Sequence, residues 1–407
     1  MARFSYQARN QSGRLESGSL EAANQDEAVS ILQNRQLWVV SIGERSGESP
    51  TRLHRRAARS HRGVTRTDLV VFARSLSSVT QAGLPLLNSL ETIVSQTRSQ
   101  RLSAALTEIV QDIRGGSTFR DSVAKHPSIF SPFWISLLET GEASGQLAKA
   151  LEQITAHLER SGAIQRKIIS ALTYPAILLM AAVIAILIFV IKIIPTFAAM
   201  FSSFGAQLPL LTRGVIALSH FIKSNVLLIM AGTVGTAFLF SSYIKTKQGR
   251  WQFDRLLLQM PVLGTLFQNV VTQEFASNLG TLLKAGVPIL HALDIVISTS
   301  SNKVAGSLIE IMRTGVREGK TLADPLAESD IFPALVAQML TVGEQTGKLS
   351  DMLEEIGKHY DEQVSASVDQ MTALLEPIML IGIGLIVGIL VLSMYLPIFQ
   401  MTSVVKG

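Results

Sequence analysis

The sequence predicts an all-α polytopic membrane protein with two repeated cytoplasmic helical bundles, three transmembrane helices and a small N-terminal α+β unit. Three observations carry that prediction. The first is an internal repeat. Gly-Glu-Ala-Ser-Gly-Gln-Leu at 141–147, Pro175 and Pro195 recur as Gly-Glu-Gln-Thr-Gly-Lys-Leu at 343–349, Pro377 and Pro397, each landmark 202 residues on. Upstream, Phe72, Ala82, Gly83, Pro85, Gly116 and Asp121 recur 203 residues on as Phe275, Ala285, Gly286, Pro288, Gly319 and Asp324. Self-similarity in turn residues and core positions marks duplication of a packing unit rather than of a catalytic cluster. The second observation is that each copy ends in an apolar run, 176–194 and 378–396, with a further run at 226–244 between them. Each is about 19 residues, roughly what a helix needs to cross the hydrocarbon core. The third is composition: 47% hydrophobic against 16% charged residues over 407 is too apolar for an ordinary soluble enzyme.

Taken in order, Phe4–Ala8 and Arg14–Glu21 alternate at period 2 around an Asn10–Gly13 turn, and Trp38–Ile42 reads as a third strand. Between them Asn24 and Glu27 form a capping box for a helix whose apolar face carries Ala28, Ile31 and Leu32. A unit of residues 1–43 is too small for chemistry and reads as a docking module. Residues 44–64 are a Ser-, Gly- and Arg-rich linker; Arg55, Arg56, Arg59 and Arg62 suit a basic stretch at a lipid surface, and no nucleic-acid partner is expected. The first bundle, 65–170, opens with a stripe of Leu69, Phe72, Leu76 and Val79. Gly83 is read as the left-handed residue that stops this helix, and Pro85 as the first residue of the next. Gly115-Gly116, Pro127 to Pro132 and Gly141 to Gly145 mark further breaks. Gly286, Pro288, Gly343 and Gly347 repeat the punctuation in the second bundle, 245–375.

The three spans are assigned to 171–194, 224–244 and 376–398, with helices running on through Pro175 and Pro377 and stopping at Pro195 and Pro397. Arg160, Arg166 and Lys167 precede the first span and Lys245, Lys247, Arg250 and Arg255 follow the second, whereas 195–225 carries only Arg213 and Lys223. The positive-inside rule places the N-terminus and both bundles in the cytoplasm, and the 195–223 loop and 399–407 tail in the periplasm. The start of the chain has no apolar signal segment. There is no cysteine, which excludes disulfides and thiolate metal sites.

Chemistry-bearing patterns are few. Gly315-Val-Arg-Glu-Gly319-Lys320-Thr321 has three residues between its glycines, not the four a phosphate loop needs, and follows a helical pattern rather than a strand, so it reads as an interhelical turn. His157 and His359 lack a partner set at metal-ligand spacing and read as surface residues. Glu91, Glu139 and Glu142, with Asn88 or Gln146, would offer oxygens to calcium if they converged. The favoured reading is that Glu142 braces the Gly141–Gly145 turn, as Glu344 does in copy two. Lys192 is the one charged residue within the apolar runs 176–194, 226–244 and 378–396 and lies at an end, where it can snorkel. A transporter, the competing functional class, would place ionisable groups mid-span. Gly384 and Gly388 permit close helix packing and hence a homo-oligomer.

The paired Ala-Gly-x-Pro turns at 82–85 and 285–288, the paired Gly-Glu-x-[Ser/Thr]-Gly-x-Leu motifs, and Leu-Glu-Pro-Ile before a span ending Tyr-Leu-Pro-Ile-Phe (395–399) resemble one family. It is the inner-membrane platform protein of type II secretion and type IV pilus machines, and the likeness covers about residues 65–400. The resemblance implies a non-enzymatic scaffold in the bacterial inner membrane. It would couple a hexameric cytoplasmic ATPase to pilins or pseudopilins entering a filament, beside other inner-membrane assembly components. It also implies calcium at the first bundle, with Glu142 as the matching ligand, and no other cofactor.

Overall fold

The computed structural model describes residues 2–9, 15–22, 25–34, 37–44, 63–203 and 209–404. The Asn10–Gly13 turn, the Asn24 cap, the linker arginines Arg55, Arg56, Arg59 and Arg62, and the end of the tail lie outside them. The chain divides into two compact units, residues 1–61 and 62–407.

In the first unit, β1 (Ala2–Arg9) is the centre of an antiparallel sheet ordered β2-β1-β3, with β2 at Leu15–Ala22 and β3 at Trp38–Glu44. Helix α1 (Gln25–Asn34) covers it, burying Ala28 and Leu32 against Leu20 and Ala22 with Ile31, Leu37 and Val39 around them. The predicted apolar face of α1 is thus the face that packs.

The second unit is helical. Copy one comprises α2 (Arg66–Gln81), α3 (Leu86–Gln96), α4 (Gln100–Arg114), α5 (Phe119–Ala124), α6 (Pro132–Ala143) and α7 (Leu147–Ile188). A wider turn at Phe189–Ile193 leads into α8 (Ile194–Ser203), then α9 (Leu210–Ser224), α10 (Val226–Lys245) and α11 (Lys247–Gln259). Copy two repeats the set as α12 (Leu263–Lys284), α13 (Ile289–Thr299), α14 (Lys303–Arg317), α15 (Asp324–Ala327), α16 (Ala334–Thr346) and α17 (Leu349–Val404). Three helices, within Leu147–Phe197, Val226–Lys245 and Leu349–Leu396, are long and apolar enough to cross a membrane.

Local chemistry explains the breaks. Gly83 and Gly286 sit at φ +81° and +90°, the left-handed region open to glycine, and end α2 and α12. Pro85 and Pro288 then stand at the N-cap, one residue earlier than predicted, because their extended ψ of 138° precedes the first helical residues Leu86 and Ile289. Gly141 and Gly343 are not turn residues: α6 and α16 run through both, and the breaks fall at Gly145 and Gly347 with φ +70° and +69°. What Gly141 provides is close approach, since a Cβ there would lie 2.5 Å from the Ala150 Cβ of α7.

Three predicted features differ in the tertiary structure. Pro195 and Pro397 do not end their helices, which continue to Ser203 and Val404. The 195–223 connection is mostly the two helices α8 and α9 rather than an open loop. Most consequentially, the two bundles are not separate modules. Phe72, Leu76, Trp134 and Leu151 of copy one and Phe275, Leu279, Val296 and Leu353 of copy two belong to a single continuous apolar core.

Candidate functional site: the paired stalks and the cleft between the copies

The repeated glutamates are structural braces. Glu142 Oε1 accepts the Phe119 N–H at 2.9 Å and Oε2 the Arg120 N–H at 3.0 Å, so both oxygens serve the free amides that begin α5. Its brace is therefore on the start of α5 and not on the 141–145 turn. Glu344 repeats the contact to the Leu322 N–H at 2.8 Å, while its other oxygen is buried without a partner among the described residues. Two charge-assisted bonds against one set the expected order of effects. Glu142→Ala should destabilise the detergent-purified chain by about 2–3 kcal/mol and Glu344→Ala by about 1–2, read from unfolding midpoints.

That geometry bears on calcium. Glu91 pairs with Arg114 at 2.7 Å, Glu139 faces Arg120 at 3.6 Å, and Glu142 is committed to backbone amides. The three carboxylates do not converge. No group of three or more acidic or histidine side chains suited to a metal occurs among the described residues. A carboxylate whose two oxygens already accept amide hydrogens does not fit a cation that asks for six or more oxygens.

The long helices α7 and α17 form paired stalks. Arg160 bonds Asp361 at 3.5 Å and Lys167 bonds Asp369 at 3.1 Å. The partner numbers rise together, so the stalks run parallel. Ile164, Ile168 and Ala171 of α7 pack with Val364, Val368 and Met371 of α17 around Leu266 of α12. Lys167 and Asp369 are equivalent positions of the two copies, 202 residues apart. Two identical chains would set like charges against each other there; duplication within one chain allowed the positions to take opposite signs. Partly exposed pairs of this kind stabilise little, and their use is to fix the register of the stalks. Burial pushes the Asp361 carboxyl above the usual carboxylate range, with Arg160 opposing.

Bordering this junction, and sharing Ile164 and Ile168 with it, is a cleft of about 610 Å³ between the copies, lined among others by Arg66, Phe133, His157, Glu274 and Asn278. His157 is not the surface residue predicted from sequence. Its ring lies 4.2 Å from the Phe133 ring, whereas His359 is exposed. Burial first, then the charges of Arg160 and Arg66, lowers the His157 pKa from 6.5 to about 4. Glu274, held by Ser301, shifts upward through burial.

The sign of the histidine effect follows from proton linkage. A folded pKa below the unfolded one means that the unfolded chain binds the extra proton first. The contribution of neutral His157 is complete above about pH 6.5 and is lost as pH falls from 6.5 toward 4. His157→Phe, which keeps the ring against Phe133 but cannot titrate, should flatten the pH dependence of the unfolding midpoint in that window.

Among residues the sequence reading passed over, buried Asp254 of α11 accepts the Lys303 N–H at 2.8 Å and pairs with Arg250, bracing α14. Its Asp-Arg-Leu-Leu-Leu context offers no local sign of this. Thr212 and Ser219 were hidden in the presumed loop, although Thr212, Val215, Ile216, Ser219 and Ile222 follow a helical stripe.

Comparison with known proteins accounts for this arrangement. The family described as type II secretion system (T2SS), protein F matches residues 72–195 and again 275–397. Its N-terminal domain matches residues 1–43. Relatives include the type IV pilus assembly protein PilC of Thermus thermophilus, 35% identical over 98% of this chain and 97% of the relative. The type IV pilus assembly protein PilC of Myxococcus xanthus is 32% identical over 100% and 96%. The type II secretion system protein F of Pseudomonas aeruginosa is 30% identical over the whole of both chains. Both matched repeats end at the distal prolines, and both include a stalk and its span. The chain belongs to the type II secretion system protein F family.

Proposed function

We propose that this protein is the inner-membrane platform of a type IV pilus or type II secretion machine, and that its role is mechanical. In this reading a hexameric cytoplasmic ATPase moves the helical core, and pilins or pseudopilins are lifted from the membrane into the filament beside it. The observation that carries the proposal is continuity. The shared core passes without a flexible linker into α7, 42 residues long, and α17, 56 residues long, each with a span. A rigid helix transmits displacement, whereas a coil would absorb it. Both copies and the N-terminal unit lie in the cytoplasm in this reading, as the basic flanks of the spans require. The protein is a non-enzymatic frame, with assembly components and further copies of itself as neighbours. Lys192 as the single charged residue of the apolar runs 176–194, 226–244 and 378–396 favours this over solute transport.

Insertion of about ten Gly/Ser residues after Arg160 should abolish filament or secretion output while leaving membrane integration intact. Normal output from that variant would refute mechanical coupling.

A further inference from the structure

Pro195 and Pro397 occupy equivalent places, and each interrupts the hydrogen bonding of a helix that does not stop. A helical N–H normally returns to the carbonyl four residues back, and proline has none to give. In α17 the acceptor that Pro397 leaves over is the carbonyl of Ser393. Beside Pro195 the register is wider: the Ile194 N–H bonds to Phe189, five residues back. In that register the acceptor left over by Pro195 is the carbonyl of Val190. Val190 and Ser393 are 3% and 2% exposed, so water does not reach them freely. A buried carbonyl without a donor is costly, above all in a membrane.

Both carbonyls are met from one helix. The Thr212 hydroxyl donates to the Ser393 carbonyl at 2.7 Å, and the Ser219 hydroxyl donates to the Val190 carbonyl. Thr212 and Ser219 stand seven residues apart, two turns along the same stripe of α9. Between and beyond them Val215, Ile216 and Ile222 pack on Val190, Ile194 and Leu390. Helical hydroxyls usually bond back to their own helix, as Ser224 does to His220. Thr212 and Ser219 instead cross to another helix and land on the two carbonyls that the prolines release. The nearer prolines provide the contrast. Ala171 and Ala373, four residues before Pro175 and Pro377, border a groove of about 490 Å³ between the stalks, where water can serve.

We propose that α9 is a clip that locks the wide turn following α7 to the distal part of α17, its two hydroxyls completing the backbone carbonyls that the duplicated prolines leave without a donor. The two spans then cannot shift against each other at that end without releasing α9.

Hydrogen-exchange mass spectrometry of the full chain in lipid nanodiscs, read on peptides from 210–224, tests this. Thr212→Val should speed exchange of α9 about tenfold, and Thr212→Ser should exchange as the native chain does. Combined with Pro397→Ala, which restores the missing N–H, Thr212→Val should change exchange less than about twofold. Ser219→Ala with and without Pro195→Ala should behave in the same way, and decides the matter if the Pro397 variant does not fold. Equal loosening by the hydroxyl deletions in both backgrounds would overturn the proposal. So would native-like exchange in Thr212→Val, or Thr212→Ser as loose as the valine.

Discussion

Leu279→Ala, a cavity cut into copy two, should lower the unfolding midpoint of copy one. Leu279 is fully buried in the core that also holds Phe72 and Trp134. Truncating such a leucine costs about 3 kcal/mol, because the cavity collapses only in part. The chain has three tryptophans, Trp38, Trp134 and Trp251. With Trp38 and Trp251 changed to Phe, fluorescence reports on Trp134 alone, stacked on Phe72 at 6.1 Å in copy one. A shared core has no boundary at which one copy can unfold and leave the other intact, so the Trp134 transition should move by the whole amount. A Trp134 midpoint unchanged by Leu279→Ala would show two independent bundles. The direct contact between copies is visible at Gly286, where an added Cβ would touch Thr140 at 3.9 Å.

Gly141→Ala should be the most damaging methyl that can be added at the repeated motif. The new Cβ would sit 2.5 Å from the Ala150 Cβ, closer than packed carbons approach, where α6 turns back on α7. Forcing those helices apart lies at the upper end of the overpacking range, about 3 kcal/mol. Gly145→Ala has no neighbour within 4 Å and only the left-handed φ of +70° to oppose it, about 1 kcal/mol. Urea or thermal unfolding of the two variants separates the causes. Ala150→Gly should recover most of the Gly141→Ala loss and none of the Gly145→Ala loss. Equal sensitivity at both glycines would mean that the motif acts through turn geometry alone.

Much of this was legible in the chain because it is written in local chemistry. The left-handed turns at Gly83 and Gly286, the apolar face of α1, and the passage of α7 and α17 through Pro175 and Pro377 depend on residues a few places apart. The site was harder to read. The sequence points to Glu142 as a brace of the Gly141–Gly145 turn, but its targets are the amides of Phe119 and Arg120. Nothing near Glu142 in sequence names them. His157 looks identical to exposed His359 until the ring of Phe133 and the facing copy cover it. From sequence Pro195 and Pro397 signal stops, because proline removes a donor. That reasoning omits a neighbouring helix that supplies one.

The sequence alone determined the duplication, the number and place of the apolar spans, and the punctuation of each copy. Turn residues and hydrophobic period act over one or two helical turns, so they can be read without a partner. Only the tertiary structure decided that the copies fuse into one core and that their stalks pair through Arg160–Asp361 and Lys167–Asp369. It alone also showed α9 bonding both distal carbonyls. Such contacts join residues about 200 positions apart, or across separate helices. Their energy depends on which surfaces meet and what water they exclude, and no local pattern in the chain records that.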